Sequence, residues 1–296
     1  MQLPHHCTLC PRACGADRAA GQRGFCGADN TLRVARAALH HWEEPCLSGD
    51  PNAATGSGTV FFSGCTLRCC YCQNGSISAG GFGKAITTER LREIFEELIS
   101  RGAHNINLVT PTHFLPWILP ALEPKLSVPV VYNCGGYESV ETLRQLEGKV
   151  DIWLPDLKYA DGELAGRLSA APDYFPVAAA AIREMFRQTG PCVLEDGLLK
   201  RGVVIRHLVL PGQMDNTRRC IDWVAENFRP GEVMFSLMSQ YTPQENAEGT
   251  LRRHVTRSEY RAAVAYMENC GITDGFTQER TAARAEYTPP FDLTGV

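Results

Sequence analysis

The chain has 296 residues, enough for one large domain or two ordinary ones. Hydrophobic residues make up 44% and charged residues 21%, a balance that excludes wholesale disorder. Lys plus Arg number 29 against 33 Asp plus Glu, a formal net charge of −4, so no basic excess points to nucleic acid or an anionic membrane surface.

Residues 1–57 read as irregular. They carry Cys7, Cys10, Cys14 and Cys26, the pairs His5-His6 and His40-His41, and a glycine-rich end at 49–57. So little apolar material cannot bury a core alone, which makes a metal-pinned segment the expectation. The start, Met1-Gln2-Leu3-Pro4, lacks the charged-then-apolar pattern of a signal peptide. No apolar run approaches the ~20 residues of a membrane span. With thirteen cysteines and no export signal, the expectation is a cytoplasmic protein with reduced thiols, where grouped cysteines bind metal.

From residue 58 strands and helices alternate. Thr59–Phe62 is a short β-favouring run. Leu91, Ile94, Phe95, Leu98 and Ile99 have helical spacing over 88–100, with Thr87 or Thr88 as cap and Gly102 as stop. Strands follow at 105–109, 128–132, 150–157, 203–210 and 233–238, and helices at 113–122, 139–146, 215–228 and 257–269. A helix-rich insert covers 162–189, and the tail past Pro289-Pro290 reads as a closing loop. About six βα units imply an α/β fold with a parallel sheet, either doubly wound or an incomplete barrel. No G-x-G-x-x-G follows the first strand; cysteines do. In both architectures the working site lies at the carboxyl ends of the strands.

That loop reads Cys65-Thr66-Leu67-Arg68-Cys69-Cys70-Tyr71-Cys72-Gln73-Asn74. Cys65, Cys69 and Cys72 can face one side of a loop and hold three irons of a [4Fe–4S] cluster, leaving the fourth iron open. Zinc is the other metal such thiols take. Cys70 breaks the spacing and reads as a non-ligand. The N-terminal Cys7, Cys10, Cys14 and Cys26 suffice for a closed tetrahedral zinc site or a second, fully ligated Fe–S cluster.

C-x-x-x-C-x-aromatic-C directly after the first strand of a repeated βα protein resembles the radical S-adenosylmethionine (SAM) superfamily, over roughly residues 58–280. The resemblance implies a partial (β/α)6 barrel of TIM type over 58–296, following the Cys-rich segment 1–57. It also implies a [4Fe–4S] cluster whose open iron binds SAM, and reductive cleavage of SAM to a 5′-deoxyadenosyl radical that abstracts hydrogen from a substrate. Asp151 to Lys158 is similar to the D-x-K strand of glycyl-radical-enzyme activating proteins, such as the pyruvate formate-lyase activating enzyme. Ile205 to Gly212 is similar to their I-R-x-x-V-x-P-G strand and turn. His40-His41-Trp42-Glu43-Glu44-Pro45-Cys46 and Val109-Thr110-Pro111-Thr112 match uncharacterised homologues of that enzyme. By this resemblance Asp156, Lys158 and Arg206 help hold SAM, Tyr71 and Asn74 position its adenine, and Gln240 faces the substrate.

Two features depart from the pattern. Where the superfamily has an acidic G-G-E-P-type segment, Thr110 and Thr112 offer only hydroxyls. Asn133 stands where some activating enzymes have a cation-binding aspartate. The resemblance also implies a low-potential electron donor such as flavodoxin or ferredoxin, and a glycyl-radical protein as substrate. A radical SAM enzyme acting on another peptide or a small molecule, and a non-catalytic Fe–S or metal-binding electron-transfer protein, are the competing readings. No residue is assigned to the hydrogen-transfer step itself.

Overall fold

A computed structural model describes residues 2–245, 247–278 and 289–296. In chain order its elements are β1 (Arg33–His40), α1 (Pro45–Ser48), β2 (Gly56–Phe62), α2 (Gly75–Ser78), β3 (Lys84–Ala85), α3 (Thr88–Ser100), β4 (Ala103–Val109), α4 (Leu115–Ala121), β5 (Val130–Cys134), α5 (Val140–Arg144), β6 (Ile152–Pro155), α6 (Gly162–Ser169), α7 (Tyr174–Thr189), β7 (Val193–Glu195), β8 (Leu198–Leu208), α8 (Met214–Asn227), β9 (Met234–Met238), α9 (Arg257–Asn269) and β10 (Gly275–Thr277).

The strand order is β10-β9-β8-β6-β5-β4-β2-β1-β3, with β7 paired to β8. From β2 to β10 the main path is parallel. Each successive parallel strand lies beside the one before it, and nowhere does the order reverse. A doubly wound sheet requires such a reversal, so the sequential order selects the incomplete-barrel alternative. Six strands, β2, β4, β5, β6, β8 and β9, are each followed by helix. Buried on both faces, they read as near-continuous apolar runs, such as Val130-Val131-Tyr132.

The helices cover the outside. In α3, Leu91, Ile94, Phe95 and Leu98 form one buried stripe, each worth ~1.5–3 kcal/mol of burial. The Thr87 side chain accepts from the Arg90 N–H and starts that helix; α9 starts at a capping box between Thr256 and Glu259. The expected insert at 162–189 is α6 and α7, the crossover from β6 to β8.

Residues 1–57 are less irregular than expected. β1 pairs antiparallel with β2 and β3, extending the sheet by its own edge. Its alanines and isolated arginines carry no clear alternation, which hid it. Among the described residues no helix is long and apolar enough to cross a membrane.

Candidate active site

The chain leaves β2 at Phe62 and turns at Gly64, whose φ is +87°. A Cβ there would come within 2.6 Å of the Cys26 carbonyl oxygen, so glycine lets the cysteine loop lie against the N-terminal segment. Cys65 N–H donates to that same oxygen at 3.2 Å. Cys65, Cys69 and Cys72 all line one cleft of ≈ 470 Å³ beside Arg68 and Ser78. Burial pushes the Cys65 and Cys69 thiols up, while the Lys158 charge pulls that of Cys69 back. Cys70 is exposed, and its N–H is fixed to Leu168 O at 2.9 Å.

Three thiols around a shared space suit a cluster in which each binds a different iron. Among the described residues, no three or more His, Cys, Asp or Glu side chains converge for a single metal ion. That holds for the N-terminal cysteines too, so neither a mononuclear zinc site nor a second cluster is established there. Cys7, Cys14 and Cys26 nonetheless lie near one another. A Cβ on Gly24 would stand 3.1 Å from Cys14 Sγ and 3.5 Å from Cys26 Sγ.

The N-terminal segment clamps the cysteine loop. Arg12 donates to Thr66 O at 2.9 Å, to Ser169 O at 3.3 Å and to Ala170 O, and lies over the Phe25 ring at 4.1 Å. Ser169 in turn donates from its hydroxyl to Cys69 Sγ at 2.9 Å. Behind it, Tyr159 Oη lies 2.7 Å from Ser169 Oγ, and Tyr71 Oη lies 2.6 Å from Tyr159 Oη. Tyr71 is thus the buried end of a hydroxyl chain that reaches Cys69 Sγ. Asn74 precedes α2 and accepts from Ile77 N–H and Ser78 N–H through its carbonyl.

A second group lies across the sheet at the ends of β5, β6 and β8. Asp156 and Arg206 form a parallel bridge between adjacent strands. Arg206 Nε donates to Asp156 Oδ1 at 3.0 Å, Lys158 Nζ to Asp156 Oδ2 at 2.5 Å, and the Arg206 guanidinium to Asn133 Oδ1 at 2.6 Å. Burial favours a neutral Asp156, but the Lys158 and Arg206 charges outweigh it and hold the carboxyl below its ordinary range. Tyr174 Oη accepts from Lys158 N–H at 3.0 Å and lies 2.7 Å from Asp156 O, fixing this turn. Gly136, at φ +78°, packs so closely that a Cβ would overlap the Asp156 carbonyl.

Two acids here escaped the sequence reading. Glu43, in the loop after β1, reaches Arg206 at 3.3 Å and accepts from Asn133 at 3.5 Å. Glu138, after β5, is 2% exposed and accepts from Thr112 Oγ1 at 2.9 and 3.0 Å. Tyr132 donates to Thr112 Oγ1 at 2.9 Å. The Thr112 hydroxyl is therefore committed on both sides. It anchors the turn. Thr110, its neighbour, has φ +58°, a conformation that costs a β-branched residue about 1–2 kcal/mol. Burial lifts the Glu138 carboxyl to about 8. The signal that could have found these acids was position alone: Glu43-Glu44 in an aromatic stretch, and Glu138 beside a Gly-Gly turn.

Gln240, just past β9, does not join the cysteine cleft. It lines a separate cavity of ≈ 320 Å³ with Glu43, Glu44, Arg206, Ser236 and Phe276, among others.

Comparison with known proteins shows the family. Residues 59–224 match the radical SAM superfamily. The uncharacterized protein MJ0674 of Methanocaldococcus jannaschii is 30% identical over 279 residues, 90% of this chain and 75% of that protein. The crystal structure of Streptococcus suis SuiB bound to S-adenosylmethionine superposes with TM-score 0.51 at 14% identity, over 73% of this chain and 48% of SuiB. SuiB bound to its precursor peptide SuiA gives TM-score 0.50 at the same identity, over 73% of this chain and 46% of SuiB. The chain spans about half the length of SuiB, and that likeness concerns the fold.

Proposed function

Because this chain belongs to the radical SAM superfamily, we propose that it is an enzyme that reductively cleaves SAM at a [4Fe–4S] cluster held by Cys65, Cys69 and Cys72. The observation that carries this reading is that these three thiols share one cleft at the carboxyl end of β2, with the cationic Lys158 close to Cys69. When bound, the cluster and SAM supply a 5′-deoxyadenosyl radical that takes a hydrogen atom from the substrate.

The chain's own residues do the rest. Lys158, held by Asp156, presents a point charge for the SAM carboxylate. Arg206 keeps Asp156 ionised, so Lys158 stays aimed. Ser169 donates to Cys69 and steadies the more negative, reduced state of a cluster. The similarity of Asp151–Lys158 and Ile205–Gly212 to activating enzymes supports a glycyl-radical protein as substrate and a flavodoxin or ferredoxin as electron donor.

The test is anaerobic. The purified protein is reconstituted with iron and sulfide, assayed for both, then given dithionite and SAM, with 5′-deoxyadenosine followed by chromatography. About four irons at the central site and 5′-deoxyadenosine formation are expected. A Cys65→Ala variant that kept the full cluster and the product would overturn the ligand assignment. An intact cluster with no SAM binding by titration would overturn the activity.

A further inference from the structure

The cavity behind Arg206 lies apart from the three cluster cysteines yet is joined to them by charge. One wall holds Arg206, which pairs with Asp156, which pairs with Lys158 beside Cys69. The loop after β1, carrying His41, Trp42, Glu43 and Glu44, lines it beside Arg206, as do Met238, Gln240 and Phe276. Gln73 of the cysteine loop donates to Gln240 O at 3.1 Å, so the two regions share a boundary.

Charge within this group does not balance. Glu43, Glu44 and Asp156 supply three acidic groups, against two permanent cations, Lys158 and Arg206; with no further cation beside them among the described residues, burial pushes the Glu43 and Glu44 carboxyls up, and His41 on the same loop also has an unpartnered Nδ1. Arg206 already serves Glu43, Asp156 and Asn133. Glu44 is 8% exposed, and its Oε2 has no hydrogen-bond partner. A buried carboxylate oxygen without a donor is expensive, and a partner is expected for it. Tryptophan, phenylalanine, methionine and proline around it offer an apolar body a place to lie.

We propose that this cavity is a ligand-binding site in which Glu44, with Glu43, receives an organic cation, a primary ammonium carried on an apolar body. One positive charge there neutralises the surplus carboxylate and satisfies the orphan oxygen.

The experiment compares two matched probes on the full-length protein by saturation-transfer NMR under anaerobic, reducing conditions. Phenethylammonium and 2-phenylethanol differ in the cationic head. The wild type should bind the ammonium at least about tenfold more tightly. Glu44→Gln should bring the two affinities together. Equal binding of both probes by the wild type, or binding of neither, overturns the proposal without reference to any variant. So does loss of the preference when potassium chloride is added at the probe's concentration, which would mark an inorganic cation site. Unchanged preference in a folded Glu44→Gln protein overturns the assignment to Glu44. SAM cleavage by the wild type is measured separately: its absence would remove the reading of the preceding subsection and leave the binding comparison standing.

Discussion

Glu138 offers a direct measurement of how the turn after β4 is held. Its carboxyl is 2% exposed, and burial lifts it from an ordinary 4.5 to about 8 against the hydrogen bonds from Thr112 and Tyr132. Between those two values the folded protein keeps a proton that the unfolded chain releases. Stability is therefore greatest below the unfolded value and falls as pH rises toward 8. Each pH unit in that window is worth about 1.4 kcal/mol, so the full loss approaches about 5 kcal/mol. Glu138→Gln removes the titration while its amide oxygen still accepts from Thr112. Other acids, including Glu43 and Glu44, titrate equally in both proteins and cancel in the difference. Urea unfolding of the metal-free, reduced proteins at pH 5.5 and pH 8 should show the variant gaining about 3 kcal/mol relative to wild type over that interval. A difference that stays constant with pH would show that Glu138 is ionised in the fold, and the argument from burial would fail.

The remaining predictions concern the same neighbourhood. Ser169→Ala should lower the midpoint potential of the reconstituted cluster by about 40 mV, the one-electron equivalent of ~1 kcal/mol, in an EPR-monitored titration. An unchanged or raised potential would show that the contact of Ser169 with Cys69 does not tune the cluster. Cys70→Ala should retain full iron and sulfide, whereas Cys69→Ala should lose the cluster; iron loss in the first would mean the ligand register is misread. Thr110→Gly relieves a left-handed β-branched residue and should raise stability by about 0.5–1 kcal/mol in urea, and a clear loss of stability would count against strain at that turn.

Several elements were legible because local physics fixes them. The 88–100 and 257–269 helices carry an apolar stripe and a threonine cap, and both form at those residues. The parallel strands show as apolar runs because both faces are buried. Cys65, Cys69 and Cys72 made a metal-binding loop the expectation, because thiol spacing is a property of the chain alone. Asp156, Lys158 and Arg206 were legible through the resemblance of their strands to those of activating enzymes.

Other features depend on distance between segments, which a sequence does not contain. Six βα units fit two architectures, and only the neighbour order of β2, β4, β5, β6, β8 and β9 separated them. β1 lacked alternation and owes its existence to pairing with β2. Glu43 reaches Arg206 across 163 positions, and Ser169 reaches Cys69 across 100. Thr112 was read as a hydroxyl standing in place of an acid; Glu138 and Tyr132, which hydrogen-bond that hydroxyl, arrive from the turn after β5 and from β5 itself. The sequence by itself determined which side chains could carry the chemistry. The tertiary structure decided which of them have their hydrogen bonds already filled, and left the buried Oε2 of Glu44, a residue that lines the Arg206 cavity, without one.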